Sequence, residues 1–339
     1  MKFLLNGYFG FDNAGDEAVL SAMLADLRAL APDATFTATS GNPVQTRQMH
    51  GCEAIGRQNV GELLGALQNC DLFLSGGGSL IQDVTSFRNV VYYTTLLRLA
   101  KMMGKKTMVY AQGVGPLNAG RSQNLARKAF QSADVLTVRD PDSAALLKAI
   151  GVTKNVEITA DPVWNLAFAP QPKQPKTWGI ALRKWPGEDQ GAIARIVGAL
   201  RAIANAQGAT LRFLAMQPGP DLEVLAGLTT PGEILEVQGA SPGEIVGLCA
   251  SFDLMIAMRL HALIFAASAG VPVVAMNYDP KVASLATLLG APILPSPDSN
   301  DLAALPGLIF QAKSVAPEIL EDFRAKARRS AELAVSLAS

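Results

Sequence analysis

Short aliphatic runs alternate with longer helical patterns along nearly the whole of this 339-residue chain. In the first half "KFLLN", "ATFTAT", "DLFLS", "KTMVYA", "DVLTV" and "VEIT" read as strands, with helices over 16–30, 89–103 and 140–149. The run "YYTTLLRLAKMMG" keeps apolar residues at helical spacing and stops on Gly104, a residue suited to a helix C-cap. Strand–helix alternation of this kind builds βαβ units and a parallel sheet, which excludes all-helical and sandwich folds. "APQPKQPK", residues 169–176, interrupts it, because proline disfavours both helix interior and central strand. The alternation then restarts with "TWGIALR", "TLRFLA", "EILEV", "DLMIAM", "PVVAM" and "APIL", and with helices over 189–206, 242–250, 261–269 and 280–289. The expected fold class is α/β: two doubly wound domains facing a cleft, over 1–170 and 171–315, followed by a C-terminal helix over 316–339.

Composition narrows the function. Hydrophobic residues make up 49% and charged residues 17%, enough apolar material for large cores. Lys plus Arg and Asp plus Glu are both 29, so no net field favours nucleic acid or an anionic membrane, and any anion site must be local. Cys52, Cys70 and Cys249 form no CxxC or CxxH pair, so buried reduced thiols are expected rather than a disulfide framework or a zinc site. The N-terminus enters a strand-like run at once, with no signal-peptide pattern, and the apolar stretches break before membrane-spanning length. A cytoplasmic location is expected. The last helix carries Arg324, Lys326, Arg328 and Arg329, which could touch a membrane surface or form an ordinary solvated face.

In open α/β sheets ligands bind beyond the carboxyl ends of the strands, so the residues just after each strand matter most. After the first strand comes "NGYFGFDNAGDEAVL". Its glycines keep the backbone open, and Asp16 and Glu17 begin a helix whose first amides lack intrahelical partners. Such a loop can hold a phosphate or a sugar; it is equally a tight turn whose acids complement the helix dipole. Asn6, Asn13 and Asp16 favour sugar hydroxyls, which need paired donors and acceptors. "GGGSLIQD" and "QGVGPL" are two more glycine-rich strand ends in the same half, carrying Ser79, Gln82, Asp83 and Gln112. Arg139, Asp140 and Asp161 are explained by local ion pairing and capping.

The second half ends its strands on cations. "WGIALRKW" places Arg183 at a strand end, against the plainer possibility of a surface arginine stacked on Trp178 or Trp185. "DLMIAMRLHALIFAASAGVPVV" reads as buried strand, turn and buried helix, with Arg259, Leu260 and His261 at the turn. Guanidinium, imidazole and open helix amides at one spot suit a small dianion carrying carboxylate and phosphate. The alternative is a buried arginine paired with a carboxylate such as Asp253, with His261 as a cap. "NYDPK" adds Lys281. No GxSxG, HExxH or P-loop is present, and neither metal nor cofactor is required. A cationic half and a glycine-rich, Asn/Asp-bearing half fit a transferase with a small anionic donor and a polyhydroxyl acceptor.

"GYFGFDNAGDEA", "GGGSLIQD", "AQGVGP", "TVRDPDSAALL", "ADPVW", "IALRKW" and "RLHALIFAASAGVPVVAMNYDPKV" occur in this order over nearly the whole chain. This set resembles the polysaccharide pyruvyl transferase family, and within it the CsaB type. The resemblance implies two Rossmann-like domains in a GT-B-like arrangement. It also implies transfer of the pyruvyl group from phosphoenolpyruvate, the co-substrate, to a sugar of a polysaccharide or lipid-linked precursor, giving a ketal and phosphate. It places phosphoenolpyruvate on Arg259, Leu260, His261 and Arg183, with Lys281 beside them, and the acceptor near Asn13, Asp16, Glu17 and Ser79. Arg259, His261 and Asp16 are then the catalytic candidates. His261 either moves the proton or only hydrogen-bonds the phosphate, with Asp16 or Glu17 as the base. Assembly of the acceptor at the inner membrane face would make peripheral membrane contact plausible. "KVASLATLLG" departs from the family pattern in lacking an aromatic near Leu285. A glycosyltransferase using a nucleotide sugar and a non-catalytic glycan-binding protein are the alternatives.

Overall fold

A computed structural model describes every residue except Thr85, Pro186, Asp189, Gln190, Pro231 and 298–300. The chain forms two compact units. One comprises 1–11, 16–166 and 321–339; the other comprises 12–15 and 167–320.

The first unit runs β1 (Lys2–Phe9), α1 (Ala14–Leu30), β2 (Thr35–Ser40), α2 (Pro43–His50), β3 (Glu53–Gly56), α3 (Val60–Asn69), β4 (Leu72–Gly76), α4 (Phe87–Met102), β5 (Lys106–Gln112), α5 (Gly120–Ser132), β6 (Val135–Val138), α6 (Pro141–Ala149) and β7 (Glu157–Ile158). Its parallel strands lie in the order β3-β2-β1-β4-β5-β6-β7. Leu4, Phe73, Val109 and Leu136 from the central strands pack with Val90, Leu97 and Phe130 from α4 and α5. Strands covered on both faces need continuous apolar runs, which is why "KFLLN" and "DLFLS" do not alternate.

The second unit runs β8 (Thr177–Ala181), α7 (Ala192–Gln207), β9 (Thr210–Ala215), α8 (Pro218–Leu225), β10 (Ile234–Glu236), α9 (Pro242–Cys249), β11 (Leu254–Ala257), α10 (Leu260–Ser268), β12 (Val273–Met276), α11 (Pro280–Leu289), β13 (Ile293–Leu294) and α12 (Leu305–Gln311). Its parallel order is β10-β9-β8-β11-β12-β13. The helix expected over 189–206 begins on two residues outside those described and is observed from Ala192. α10 is buried on all sides, as a mainly apolar helix must be, and His261 is the one residue of the helix that is not buried. The proline-rich stretch is tied down within this unit: Gln171 N–H donates to the Gly247 carbonyl and Gln174 N–H to that of Ser251.

The final helix, α13 (Pro317–Ala338), joins the first unit from Glu321 onward. Phe323 stacks on Trp164 at 4.7 Å, and the Ser330 hydroxyl bonds those of Thr137 and Thr159. Two of its cations are engaged by nearby acids: Lys326 with Asp322, and Arg329 with Glu157 and Glu332. Among the described residues no helix is long and apolar enough to cross a membrane.

Candidate active site

Both sheets reverse their strand order next to their first strand, between β1 and β4 and between β8 and β11. Loops leaving such a pair of strands diverge to opposite faces and open a crevice at the carboxyl edge. The residues singled out from sequence fall at these two points and at the strand ends beside them.

In the second unit Arg183 follows β8, Arg259 follows β11 and Lys281 lies beyond β12, so three adjacent strands end on cations. Met258 N–H donates to the Ala181 carbonyl at 2.9 Å, which carries the pairing of β8 and β11 to the edge of Arg259. Arg259 is the N-cap of α10 with an extended backbone (φ −75°, ψ 117°), and no side chain caps that helix. Its guanidinium is buried and its Nη2 donates to the Asp221 carboxylate. Asp221 is itself held in the first turn of α8, where it accepts the Gln217 amide at 3.0 Å. The paired-arginine alternative is thus partly right, with Asp221 rather than Asp253 as the partner; Asp253 instead accepts the Lys176 amide. The pair leaves donors over: the buried Nε of Arg259 meets no acceptor among the described residues. A buried donor without a partner costs about 1–3 kcal/mol, so the site favours an incoming oxygen acceptor.

Arg183 lies over the Tyr278 ring at 5.1 Å and donates to its hydroxyl at 3.1 Å. The aromatic partner is therefore Tyr278, not Trp178 or Trp185. Asp279 caps α11 through the Lys281 amide at 3.1 Å and pairs with the Lys281 ammonium at 3.3 Å. Tyr278, Asp279 and Lys281 thus form one turn on which Arg183 rests. Leu260 is buried at the start of α10 and contributes backbone and packing.

His261 occupies the second position of α10 rather than its cap. Residues 12–15 group with this unit: Ala14 N–H donates to the Met216 carbonyl at 2.8 Å, and Asn13 Oδ1 accepts the Gly15 amide at 3.1 Å. The imidazole lies against Gly15 so closely that a Cβ there would fall 2.1 Å from Nδ1. The structure therefore brings the Asn13 turn and His261 together.

In the first unit the triple glycine has a packing cause. Gly77 and Gly78 adopt φ +81° and +72°, and Cβ atoms on them would fall 2.1 Å from Val19 Cγ1 and 2.7 Å from Asp16 Oδ1. Side chains there would strain the backbone and displace the first turn of α1, so glycine lets the Asp16 carboxylate come against the loop after β4. Ser79, next in that loop, accepts a hydrogen bond from Arg139 at 2.8 Å. Arg139 is buried and also reaches Asp161 at 3.0 Å and Asp140 at 3.6 Å. Asp83 accepts the amides of Asn118 and Ala119, both at 2.8 Å. Burial alone would raise its carboxyl, but these donors, with Ser122, hold it below the usual range.

Glu17 sits differently from Asp16. One of its oxygens accepts the Gly10 amide at 2.8 Å and the other meets His50 Nε2 at 2.9 Å, while His50 Nδ1 meets Ser21. With both oxygens engaged and the side chain buried, Glu17 acts as a clamp on the loop after β1. Asp221, which holds Arg259, escaped sequence reasoning, as did the pairing of Tyr278 with Arg183. Asp221 lies 38 residues from Arg259, in the helix that follows β9, where spacing along the chain gives no cue to the pairing. The cysteines are free; burial pushes the Cys52 thiol up to about 11 and that of Cys249 up to about 12.

A model of the polysaccharide pyruvyl transferase family matches residues 13–280, which include every catalytic and substrate-binding candidate named above except Asn6 and Lys281. Among solved structures the chain is similar to the UDP-GlcNAc 2-epimerase of Methanocaldococcus jannaschii (TM-score 0.65, 11% identity, 99% of each chain covered). It is also similar to a putative UDP-N-acetylglucosamine 2-epimerase of Listeria monocytogenes (TM-score 0.62, 12% identity, 97% of this chain and 94% of that one). The Anabaena protein HepE, solved with UDP and glucose, matches with a TM-score of 0.57 at 12% identity, over 100% of this chain and 97% of that one. At these identities the likeness establishes the fold: two Rossmann-like units of the GT-B kind.

Proposed function

The chain belongs to the polysaccharide pyruvyl transferase family, and from that premise we propose that it moves the pyruvyl group of phosphoenolpyruvate onto a glycan, as a ketal, with release of phosphate. The observation that carries this reading is Arg259. It is a buried guanidinium at a strand-order reversal, beside open helix amides, with one donor spent on Asp221 and its Nε left for a ligand. Carboxylate and phosphate are the groups such a site selects.

In this mechanism Arg259 and Arg183 hold the carboxylate and phosphate, and Lys281 adds charge. His261 delivers a proton to the methylene carbon, and C2 becomes electrophilic. One sugar hydroxyl oxygen adds to C2. Phosphate leaves with the electrons of the C2–O bond, and a second hydroxyl oxygen closes the ketal. Of the two hydroxyl protons, one replaces the proton given to the methyl group and the other leaves with phosphate. Asp16 is the base on the sugar side, from its place in the first turn of α1 against the glycine-rich loop after β4. Ser79 and Asn13 are the acceptor candidates, Asn13 from the turn that groups with the second unit, and Glu17 supports the loop after β1. Work at the inner face of the membrane, next to a lipid-linked acceptor, fits a protein of this kind.

Titration calorimetry with phosphoenolpyruvate tests the donor site. Wild type should bind it and Arg259→Ala should not, while UDP-N-acetylglucosamine, the ligand of structurally similar epimerases, should produce no comparable heat. Binding of the nucleotide sugar with no response to phosphoenolpyruvate would replace this reading with that of a glycosyltransferase or epimerase.

A further inference from the structure

Arg57 is the first residue after β3, in the first unit, and four aromatic rings surround it. Its guanidinium carbon lies 4.3 Å from the ring centre of Tyr92, 5.3 Å from Phe11, 5.6 Å from Tyr93 and 6.0 Å from Tyr8. Tyr8 and Phe11 are themselves stacked, 4.3 Å apart and 12° from parallel. The Tyr92 hydroxyl donates to the Arg57 carbonyl at 3.2 Å, and the Arg57 amide bonds the Ser40 carbonyl. Phe11 lies over Gly41, where a Cβ would fall 2.6 Å from the ring. This cage is built from three separate parts of the chain: the end of β1 with the loop after it, the residue after β3 and the first half of α4.

Its charge balance is unusual. Among the described residues no carboxylate lies within ion-pair distance of Arg57. Ring faces hold a guanidinium through their quadrupoles but do not neutralise it, and although the Tyr92 and Tyr93 hydroxyls take hydrogen bonds from it, no anion among the described residues answers its charge. Arg57, Tyr8, Phe11 and Tyr92 are each only partly buried, so a ligand can reach them. The cage also adjoins the glycine-rich loop: the Tyr8 hydroxyl is raised by burial and by the Asp16 carboxylate, and lowered by Arg57. A flat aromatic stack beside a charged donor is how a polar ring ligand is oriented.

We propose that Arg57 and the Tyr8–Phe11 stack form a subsite for an anionic group carried by the glycan acceptor, with the sugar ring against the aromatic faces. The anion is a carboxylate or a phosphate, which an arginine edge binds in the same bidentate way. This rests on the reading of the first unit as the acceptor side. It makes a negatively charged acceptor, rather than a neutral one, the preferred substrate.

The test titrates three probes into the full chain: p-nitrophenyl glucuronide, glucose 1-phosphate and neutral p-nitrophenyl glucoside. At least one anionic probe should bind wild type roughly tenfold or more tighter than the neutral one, the scale of a charge-assisted hydrogen bond. The probe with the larger advantage identifies the anion as carboxylate or phosphate. Arg57→Gln should erase the advantage and Arg57→Lys should restore part of it. An equal preference in wild type and Arg57→Gln, or no preference in wild type, overturns the proposal. A parallel phosphoenolpyruvate titration keeps the two readings apart, since its failure in wild type removes the pyruvyl reading and leaves the anion preference standing or falling by itself. If Arg57→Gln does not fold, Phe11→Leu takes its place: it should weaken all three probes together, and unchanged binding overturns the subsite.

Discussion

The two units share one strand plan and carry opposite chemistry on it. Each reverses its order beside its first strand, in β3-β2-β1-β4 and in β10-β9-β8-β11. In the first unit the loops at the reversal carry glycines, Asp16 and Ser79. In the second they carry Arg183 and Arg259. Each unit also buries an arginine in a carboxylate pair near its strand ends, Arg139 with Asp161 and Arg259 with Asp221. The pairs differ in what they leave over. Arg139 distributes its donors over Asp161, Asp140 and Ser79, whereas Arg259 keeps a buried Nε without an acceptor among the described residues. A saturated pair fixes a loop; an unsaturated one is ready for a ligand.

That contrast can be broken by mutation. Arg259→Ala should lower kcat/KM for phosphoenolpyruvate on the order of a hundredfold, from the lost charged donor. It should also destabilise the fold by about 3 kcal/mol, because Asp221 is left buried and unpaired. Arg139→Ala should cost a similar ~3 kcal/mol in urea unfolding, but should leave phosphoenolpyruvate affinity near wild type. If the two variants lose donor affinity alike, the distinction between the pairs is wrong.

A smaller effect sharpens the first-unit side. Gly78→Ala places a side chain at φ +72° and against Asp16, at a cost of roughly 1–2 kcal/mol. The KM for the acceptor should rise while that for phosphoenolpyruvate stays put; the reverse pattern would move Asp16 out of the acceptor role.

The smallest effect is a pH control outside both sites. The Glu233 carboxyl is lowered to about 2, first by the Arg201 hydrogen bond and then by Thr230, against the upward pull of burial. Its folded value lies below its unfolded one, so the pair stabilises above about pH 4.5 and that contribution disappears as pH falls through about 2. Denaturant midpoints of wild type and Glu233→Gln should therefore differ near neutrality and converge in acid. A gap that widens in acid would contradict the pairing.

The sequence made the strand–helix alternation and the strand-end residues legible, because buried parallel strands are continuous apolar runs and ligand residues follow them. It hid elements whose signal is weak. β3 is the short "EAIG", and α2 is a polar "PVQTRQMH" whose main local cue is the Asn42 cap. It also hid every pairing set by distance in the fold rather than in the chain: Arg259 with Asp221, Arg183 with Tyr278, and Arg57 with four rings. Asp16 and Glu17 are neighbours of the same charge in one turn, yet the fold sets the first against the loop after β4 and clamps the second between the Gly10 amide and His50. The basic cluster of the final helix looked like a surface patch, and local acids account for Lys326 and Arg329.

The central claim, pyruvyl transfer at the cationic strand ends, is tested most directly by mass spectrometry of glycan acceptors incubated with phosphoenolpyruvate. Wild type should raise the acceptor mass by that of pyruvic acid less one water, with one phosphate released per addition, and Arg259→Ala should do so on the order of a hundredfold more slowly. Unmodified glycans with wild type across charged and neutral acceptors, together with transfer of a hexose from a nucleotide sugar, would contradict it.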